Sequence, residues 1–424
     1  MMDIRANGKN SILFAIAFVV GTGIKAQSTS SQRAEELQLN TITTAVPFLL
    51  ITPDSRAGGM GDVGCASLND VNAIHWNASK LAFATKKMGF GVSYTPWLRA
   101  LVPDINLAYI TGFYKLKKRG TIGASLRYFS LGDITFTDAN GQTTGQFRPN
   151  EFAIDIAYGT KLSKTFSVGG AVRYINSNLT GNALVESAQT KPGRAVGVDL
   201  SALYKKDKVK LADKKAIVAF GINISNIGNK MSYSDRGDKN SDDFIPINLR
   251  IGGSLNVDLD DYNSISILAD INKLMVPTPP TYQYKVDTNG VTTGEIATDA
   301  DGNPIIAAGK DPNRGVAEGM FGSFSDAPGG GKEELREINY SVGLEYWYNH
   351  LFAIRAGYFY EHPTKGNRQF FTIGAGVRYN VFGLDFAYLI PTQQRNPLEN
   401  TLRFTLTFDF DAFKDQNKEE SKTE

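Results

Sequence analysis

The chain has 424 residues, with 45 Lys and Arg against 43 Asp and Glu and a formal net charge of +2. That balance argues against a nucleic-acid partner, which needs a basic excess or stripe, and a single Cys excludes a disulfide framework or a Cys-based zinc site. A mean hydropathy of -0.22 excludes a bundle of spanning helices, each about 20 apolar residues long, but not a membrane barrel, where only alternate residues face lipid.

Residues 1–26 read as a signal peptide. Arg5 and Lys9 give a basic start, Ile12 to Val20 an apolar run too short to span a bilayer, and Ile24, Lys25 and Ala26 a cleavage box before Gln27. Export is therefore expected, with Cys65 a small buried thiol.

Residues 27–86 show no alternation and much Gly. Gly59, Gly61 and Gly64 spell GxGxxG, but no βαβ unit surrounds them, so a dinucleotide site is not expected. The segment reads instead as a tightly turning plug, with Arg56, Gly58, Gly59, Gly61, Gly64, His75, Trp76 and Asn77 as candidate turn residues. His75 is expected to be hydrogen-bonded within the plug rather than to ligate a metal. No metal, no cofactor and no catalytic residue are expected.

From residue 87 to residue 410 apolar side chains recur at every second position, the strand period. About fourteen strands are predicted, over 87–98, 104–115, 120–131, 151–162, 166–176, 194–205, 216–227, 244–258, 262–276, 335–348, 351–362, 368–379, 381–390 and 401–410. In the last, Leu402, Phe404, Leu406, Phe408 and Phe410 share one face, and Arg403, Thr405, Thr407 and Asp409 the other. A soluble sandwich turns the apolar face inward; a membrane barrel turns it out to lipid and the polar face into the lumen.

Three features favour the barrel. Aromatics at 94–97, 346–348 and 358–360 suit interfacial girdles. The polar faces combine small residues with charges, making Arg127, Arg173, Arg378, Arg403, Asp155, Asp199, Asp385 and Asp409 candidate lumen-facing groups. Connections alternate between tight and long, as in outer-membrane barrels, with 206–215 as a long turn on the short side. The fold class expected is all-β, an antiparallel transmembrane β-barrel of about 14 strands.

The connection 277–334 is long enough to be functional. Asn289-Gly290 and Asp301-Gly302 are hairpin turn signals, and Asp299 to Asn303 reads as a turn rather than a calcium loop. Tyr282, Tyr284, Phe321 and Phe324 are candidate partner contacts, with packing against the barrel rim the competing reading. Gly329, Gly330 and Gly331 read as a flexible tether. Arg236-Gly237-Asp238 is a chance tripeptide, and the charged segment 411–424 reads as a disordered periplasmic tail.

The run Pro53-Asp54-Ser55-Arg56-Ala57-Gly58-Gly59-Met60-Gly61, followed by His75-Trp76-Asn77, resembles the hatch of FadL-like outer-membrane proteins. Within that superfamily the whole chain is similar to the PorV family, the barrel subunits of the type IX secretion system. The resemblance implies a fourteen-stranded barrel with an N-terminal plug, in the outer membrane of a Gram-negative bacterium after Sec-type export. It also implies a non-enzymatic role in protein transport. The implied partners are the translocon barrel, cargo proteins with C-terminal sorting domains, a sortase-containing attachment complex and the lipid bilayer. The chain departs from the superfamily at Asn77-Ala78, where Asn-Pro is common, and in continuing past Phe410, where many barrels end on an aromatic. Two other functions compete: uptake of a hydrophobic small molecule through an opening in the wall, as a FadL-like transporter, and hydrolysis. Against hydrolysis stand only three His and no GxSxG.

Overall fold

The computed structural model describes residues 39–410 apart from 100, 101, 103, 117–119, 138–139, 180, 182–183, 186–187, 234–241, 288–289 and 394–395. The leader 1–26, residues 27–38, Arg236-Gly237-Asp238, Asn289 and the tail 411–424 lie outside the described residues. No helix among the described residues is long and apolar enough to cross a membrane.

Fourteen strands form one closed sheet. They are β1 Met88–Pro96, β2 Ile105–Leu116, β3 Gly120–Leu131, β4 Asn150–Lys161, β5 Phe166–Asn178, β6 Gly193–Leu211, β7 Lys214–Gly228, β8 Asn248–Asp258, β9 Asn263–Leu274, β10 Asn339–Tyr348, β11 Phe352–Tyr360, β12 Gln369–Tyr379, β13 Phe382–Pro391 and β14 Leu402–Phe408. Neighbours pair antiparallel, and β14 returns to β1 with Phe408 opposite Phe90 and Leu406 opposite Val92. Closure leaves no wall edge with unpaired backbone groups, the condition for a sheet to stand in hydrocarbon.

The burial pattern has the inverted sense. Ile154, Ile156, Val172, Leu200, Ile267 and Ile354 are exposed on the outer surface, whereas Asp155, Arg173, Asp199, Asp270 and Arg355 are buried inside. Outward aromatics lie near both strand ends: Tyr94, Tyr128, Tyr174 and Tyr340 toward the long loops, and Tyr114, Phe166, Tyr204, Tyr348 and Tyr379 toward the short turns. Two tryptophans differ from the girdle expectation. Trp97 packs into an inner cluster with Ile51 and Leu107, and Trp347 lies beneath the guanidinium groups of Arg355 and Arg378.

Several connections also differ from expectation. Residues 206–215 are not a long turn: β6 and β7 stay paired to Leu211 opposite Lys214, around a two-residue turn at Ala212 and Asp213. The alternation fades there because a hairpin that has left both lipid and lumen has no face that must be apolar. Residues 331–336, expected in part to be strand, form helix α4, and Gly329, Gly330 and Gly331 lead into it rather than forming a slack tether. The rest of the long connection holds two small ladders, Thr281–Tyr282 with Ile306–Ala308 and Tyr284–Val286 with Thr292–Ile296, and helix α3, Val316–Gly322. At its tip the Asp299 carboxylate accepts from the Asp301 and Asn303 backbone N–H groups at 2.9 and 2.8 Å, a turn motif.

Inside the wall runs the segment 39–86, with short helices α1 Ser55–Gly58 and α2 Ala73–Trp76. Inward-facing glycines of the strands make room for it. A Cβ on Gly357 would stand 2.1 Å from the Gly61 nitrogen, on Gly343 2.6 Å from the Met60 carbonyl oxygen, on Gly169 2.4 Å from the Ser79 nitrogen, and on Gly221 2.6 Å from the Cys65 oxygen. Backbone therefore rests on backbone, which is why small residues share the polar face with charges.

Candidate functional site

The inner segment is held by its own short-range bonds first. Asp54 caps α1, accepting from the Ala57 N–H at 2.9 Å, and its other oxygen accepts from the Trp76 indole at 2.7 Å. The Asn77 amide donates to the Cys65 and Ala202 carbonyls, both at 3.1 Å, tying the α2 end to the wall. The Lys80 ammonium donates to the Gly64 carbonyl at 3.0 Å and to Ser67 Oγ at 2.7 Å. These bonds bring Arg56, Gly58, Gly59, Gly61, Gly64, His75, Trp76 and Asn77 into one buried unit.

The glycines of that unit are constrained differently from one another. Only Gly61 has a left-handed backbone, φ +72, and its Cβ would fall 2.6 Å from the Tyr358 nitrogen. Gly59 is right-handed at φ -75; what limits it is space, with the Gly374 Cα 3.1 Å from its would-be Cβ. Gly58 faces the Arg403 guanidinium and Gly64 the Trp76 ring.

Charged side chains of the wall form groups inside it; those of Glu345, Asp270, Arg127 and Arg403 bond the inner segment, and that of Arg173 stays within the wall. Glu345 on β10 accepts from Arg56 Nε and Nη2 at 2.9 and 2.8 Å and from Arg355 Nε at 2.7 Å. Arg355 continues to Asp385 at 2.9 Å, and Arg378 closes the chain on Asp385 at 2.7 Å. Asp270 on β9 accepts from the Gly64 and Cys65 N–H groups at 2.8 and 2.9 Å. Arg173 bridges Asp155 on the strand directly opposite to Asp199, at 2.5 and 3.1 Å, and also reaches Asn226.

The fourth group is Arg127, which donates to the Leu49 carbonyl at 2.7 Å and to His75 Nδ1 at 2.6 Å. Arginine has no acceptor, so Nδ1 carries no proton and His75 is the neutral tautomer protonated at Nε2. Arg403 pairs with Asp62 at 2.8 Å. Asp409 lies nearer the short-turn mouth, pairs with Lys86, and lines a cavity of 440 Å³ with Arg56, Asp70, Trp347 and Arg378.

Glu345, Arg355, Asp270, Asp54 and Asp62 were not singled out from the sequence. The strand parity that marked Arg378 and Asp385 would have marked Glu345, Arg355 and Asp270 as well. Asp54 and Asp62 carry no such signal, since their segment has no period. No cluster of three or more His, Cys, Asp or Glu able to hold a metal occurs among the described residues.

At the long-loop end Glu333 and Glu334 of α4, with Glu337 just after it, form a clasp with two lysines. Lys273 pairs with Glu334 at 3.0 Å and Glu337 at 2.5 Å, and Lys365 with Glu333 at 2.5 Å and Glu337 at 3.0 Å. Tyr284, Phe321 and Phe324 are exposed, and Tyr282 is half-buried in its ladder. Burial raises the Glu333 carboxyl, but the hydrogen bonds from Lys365 and the Gly329 N–H outweigh it and hold the group below its ordinary 4.5. A depressed carboxylate stabilises above its unfolded pKa and loses that contribution as pH falls through its folded value. Limited proteolysis of residues 309–335 should therefore stay slow at neutral pH and quicken as pH drops below 4.5. Lys365→Ala should quicken it at neutral pH by about tenfold, equivalent to about 1.4 kcal/mol. Unchanged cleavage in that variant would mean that the clasp does not hold the loop.

The profile of the family described as "Type IX secretion system protein PorV" matches residues 33–281, more than half of the chain. No curated protein matches. Among solved structures the chain is similar to a deletion mutant of the TodX monoaromatic hydrocarbon channel, with 15% identity, a TM-score of 0.47, and 84% of this chain and 99% of that one covered. It is similar to the toluene transporter TodX of Pseudomonas putida, with 13% identity, a TM-score of 0.44 and coverage of 83% and 95%. A FadL homologue of Pseudomonas aeruginosa gives 12%, 0.43, 88% and 100%. With the profile spanning the inner segment and the first nine strands of the closed barrel, the chain belongs to the PorV family of type IX secretion system proteins.

Proposed function

We propose that this outer-membrane barrel is a non-enzymatic handling subunit. It receives exported cargo carrying C-terminal sorting domains from the translocon barrel and passes it to a sortase-containing attachment complex at the cell surface. Family membership carries the reading. The interior supports it: Glu345, Asp270, Arg127 and Arg403 each bond the inner segment, so segment 39–86 acts as a plug and cargo is handled at the loops rather than threaded through the lumen. The 1–26 leader directs Sec-type export and is removed. Tyr284, Phe321 and Phe324, exposed on the ordered loop, are the proposed protein contacts, with Tyr282 behind them.

Uptake of a hydrophobic small molecule through the wall is the competing reading. It requires a break in strand pairing, whereas every neighbouring pair of barrel strands is hydrogen-bonded; the two register shifts between β6 and β7, at Val198/Leu200 within the wall and at Lys206/Val209 in the hairpin, are bulges in a ladder that continues on either side of them. A deletion strain separates the two. The surface-attached secreted proteins should disappear while general outer-membrane integrity persists; continued surface attachment in the deletion strain would end the proposal.

A further inference from the structure

Strand β6 outruns its neighbour at the short-turn end. β5 pairs with it no farther than Phe166 opposite Tyr204, with one more bond from the Lys205 N–H to the Thr165 carbonyl at 2.7 Å. β6 itself runs on to Leu211. Past the β4–β5 turn the rim therefore has a notch one strand wide, with the edge of β6 as its side.

Charge around the notch has one sign. Lys161 and Lys164 border it from β4 and its turn, and Lys205, Lys206, Lys208 and Lys210 from β6. Asp207 is the one acid on that stretch of β6 and pairs with Lys205 at 2.8 Å. Lys164, Lys206, Lys208 and Lys210 are exposed and form no ion pair among the described residues. The other arm of the hairpin is bordered differently. Lys214 donates to the Leu259 carbonyl at 2.5 Å, in a turn flanked by Asp258, Asp260 and Asp261. An anionic chain is thus drawn to the β6 edge and repelled from the β7 edge.

Lipid headgroups do not account for these lysines. Leu211 stands seven residues past the girdle residue Tyr204, roughly 23 Å along the strand, against a headgroup layer about 5–7 Å deep. Lys161 and Lys205 share the inward parity of Gly159 and Leu203 and lie 4.5 and 5.4 Å from the Phe83 ring centre, facing the mouth of the barrel. A strand edge takes up an extended chain through main-chain bonds, and cross-strand pairs of opposite charge select which chain. Short turns face the periplasm. We propose that the notch receives an acidic extended segment of a periplasmic protein, added as a strand along β6 beyond Lys205 with its carboxylates against Lys164, Lys206, Lys208 and Lys210. The site is at the opposite end of the barrel from the loops assigned to cargo and does not depend on that assignment.

The test uses the full chain in detergent and the fluorescence anisotropy of a labelled peptide of alternating Glu and Thr. The wild-type chain should bind it, and should bind a peptide of alternating Lys and Thr about tenfold more weakly or not at all. A peptide of alternating Glu and Pro keeps the charge but loses every second backbone donor, and should also bind about tenfold more weakly. Lys206→Glu, Lys208→Glu and Lys210→Glu together should abolish binding while heat-modifiable migration shows the barrel intact. Lys285→Glu, at the long-loop end, should leave binding unchanged. No binding by the wild type, equal binding of the Glu-Thr peptide and either of the other two, or unaltered binding in the triple variant overturns the proposal. So does loss of a preference for phosphatidylglycerol over phosphatidylcholine nanodiscs in the triple variant with peptide binding intact, which would make the lysines a headgroup contact.

Discussion

A Gly61→Val chain is expected not to reach the heat-modifiable barrel and to accumulate as a protease-sensitive form. Two independent costs meet at this position. A left-handed φ of +72 costs an L-residue about 1–2 kcal/mol, and more when the side chain is β-branched. The added Cβ would also stand 2.6 and 2.7 Å from the Tyr358 nitrogen and oxygen, which are wall backbone and cannot rotate aside. Relief requires the inner segment to lift from β11, breaking the Gly61 N–H bond to Thr372 Oγ1. Gly302→Ala is the control. It has φ +83 with nothing within 4 Å of its would-be Cβ, so it bears only the conformational cost and should fold normally. Normal heat-modifiable migration of Gly61→Val would show that the segment does not bear on the wall there.

Glu345→Ala should produce the second large loss, read as a lower urea midpoint for unfolding in detergent micelles. The carboxylate answers two guanidinium groups, and Arg355 is fully shielded from solvent. Removing one partner of a buried pair strands the other charge, at about 3–5 kcal/mol. Here two charges are stranded, although Arg56 keeps Asp70 and Arg355 keeps Asp385. Glu345→Gln, which retains an acceptor oxygen, should fall between wild type and Glu345→Ala. Coincident midpoints for all three would remove the carboxylate from the account of stability.

The wall was legible because a barrel strand repeats one physical instruction every two residues. Lipid on one side and a crowded interior on the other leave no position neutral, so β3, β12 and β14 could be read almost to the residue. Legibility failed where one of those surroundings ended. Beyond Lys205 neither lipid nor lumen constrains the chain, and its paired hairpin looked like a loop. At 335–338 the apolar Leu335 and Ile338 suited a strand, but they belong to a helix and its exit against the outer wall. Trp97 and Trp347 have the chemistry of girdle residues, but Trp347 shares the inward parity of Glu345 and Trp97 packs against the inner cluster.

Within the interior, residue types were readable and partners were not. Arg173 and Asp155 are opposite one another only in the observed register, and of the two acids that pair with Arg56 one, Glu345, is distant by 289 positions. The three glycines of GxGxxG looked equivalent as letters. Their constraints are a left-handed backbone at Gly61, a neighbouring glycine at Gly59 and an indole ring at Gly64.

The hairpin of β6 and β7 has one more implication. Strand β5 ends its pairing with β6 at Tyr204 opposite Phe166, and β8 ends its pairing with β7 at Val257 opposite Ala216. Past those points each arm of the hairpin carries a margin of backbone donors and acceptors outside the closed wall. Such a margin invites any passing extended chain to add itself, including a second copy of this one. Lys206, Lys208, Lys210, Lys214 and Lys215 crowd that stretch, and like-charged ribbons repel before their edges can zip together. The lysines thus guard against self-adhesion at a place where closing the cylinder could not.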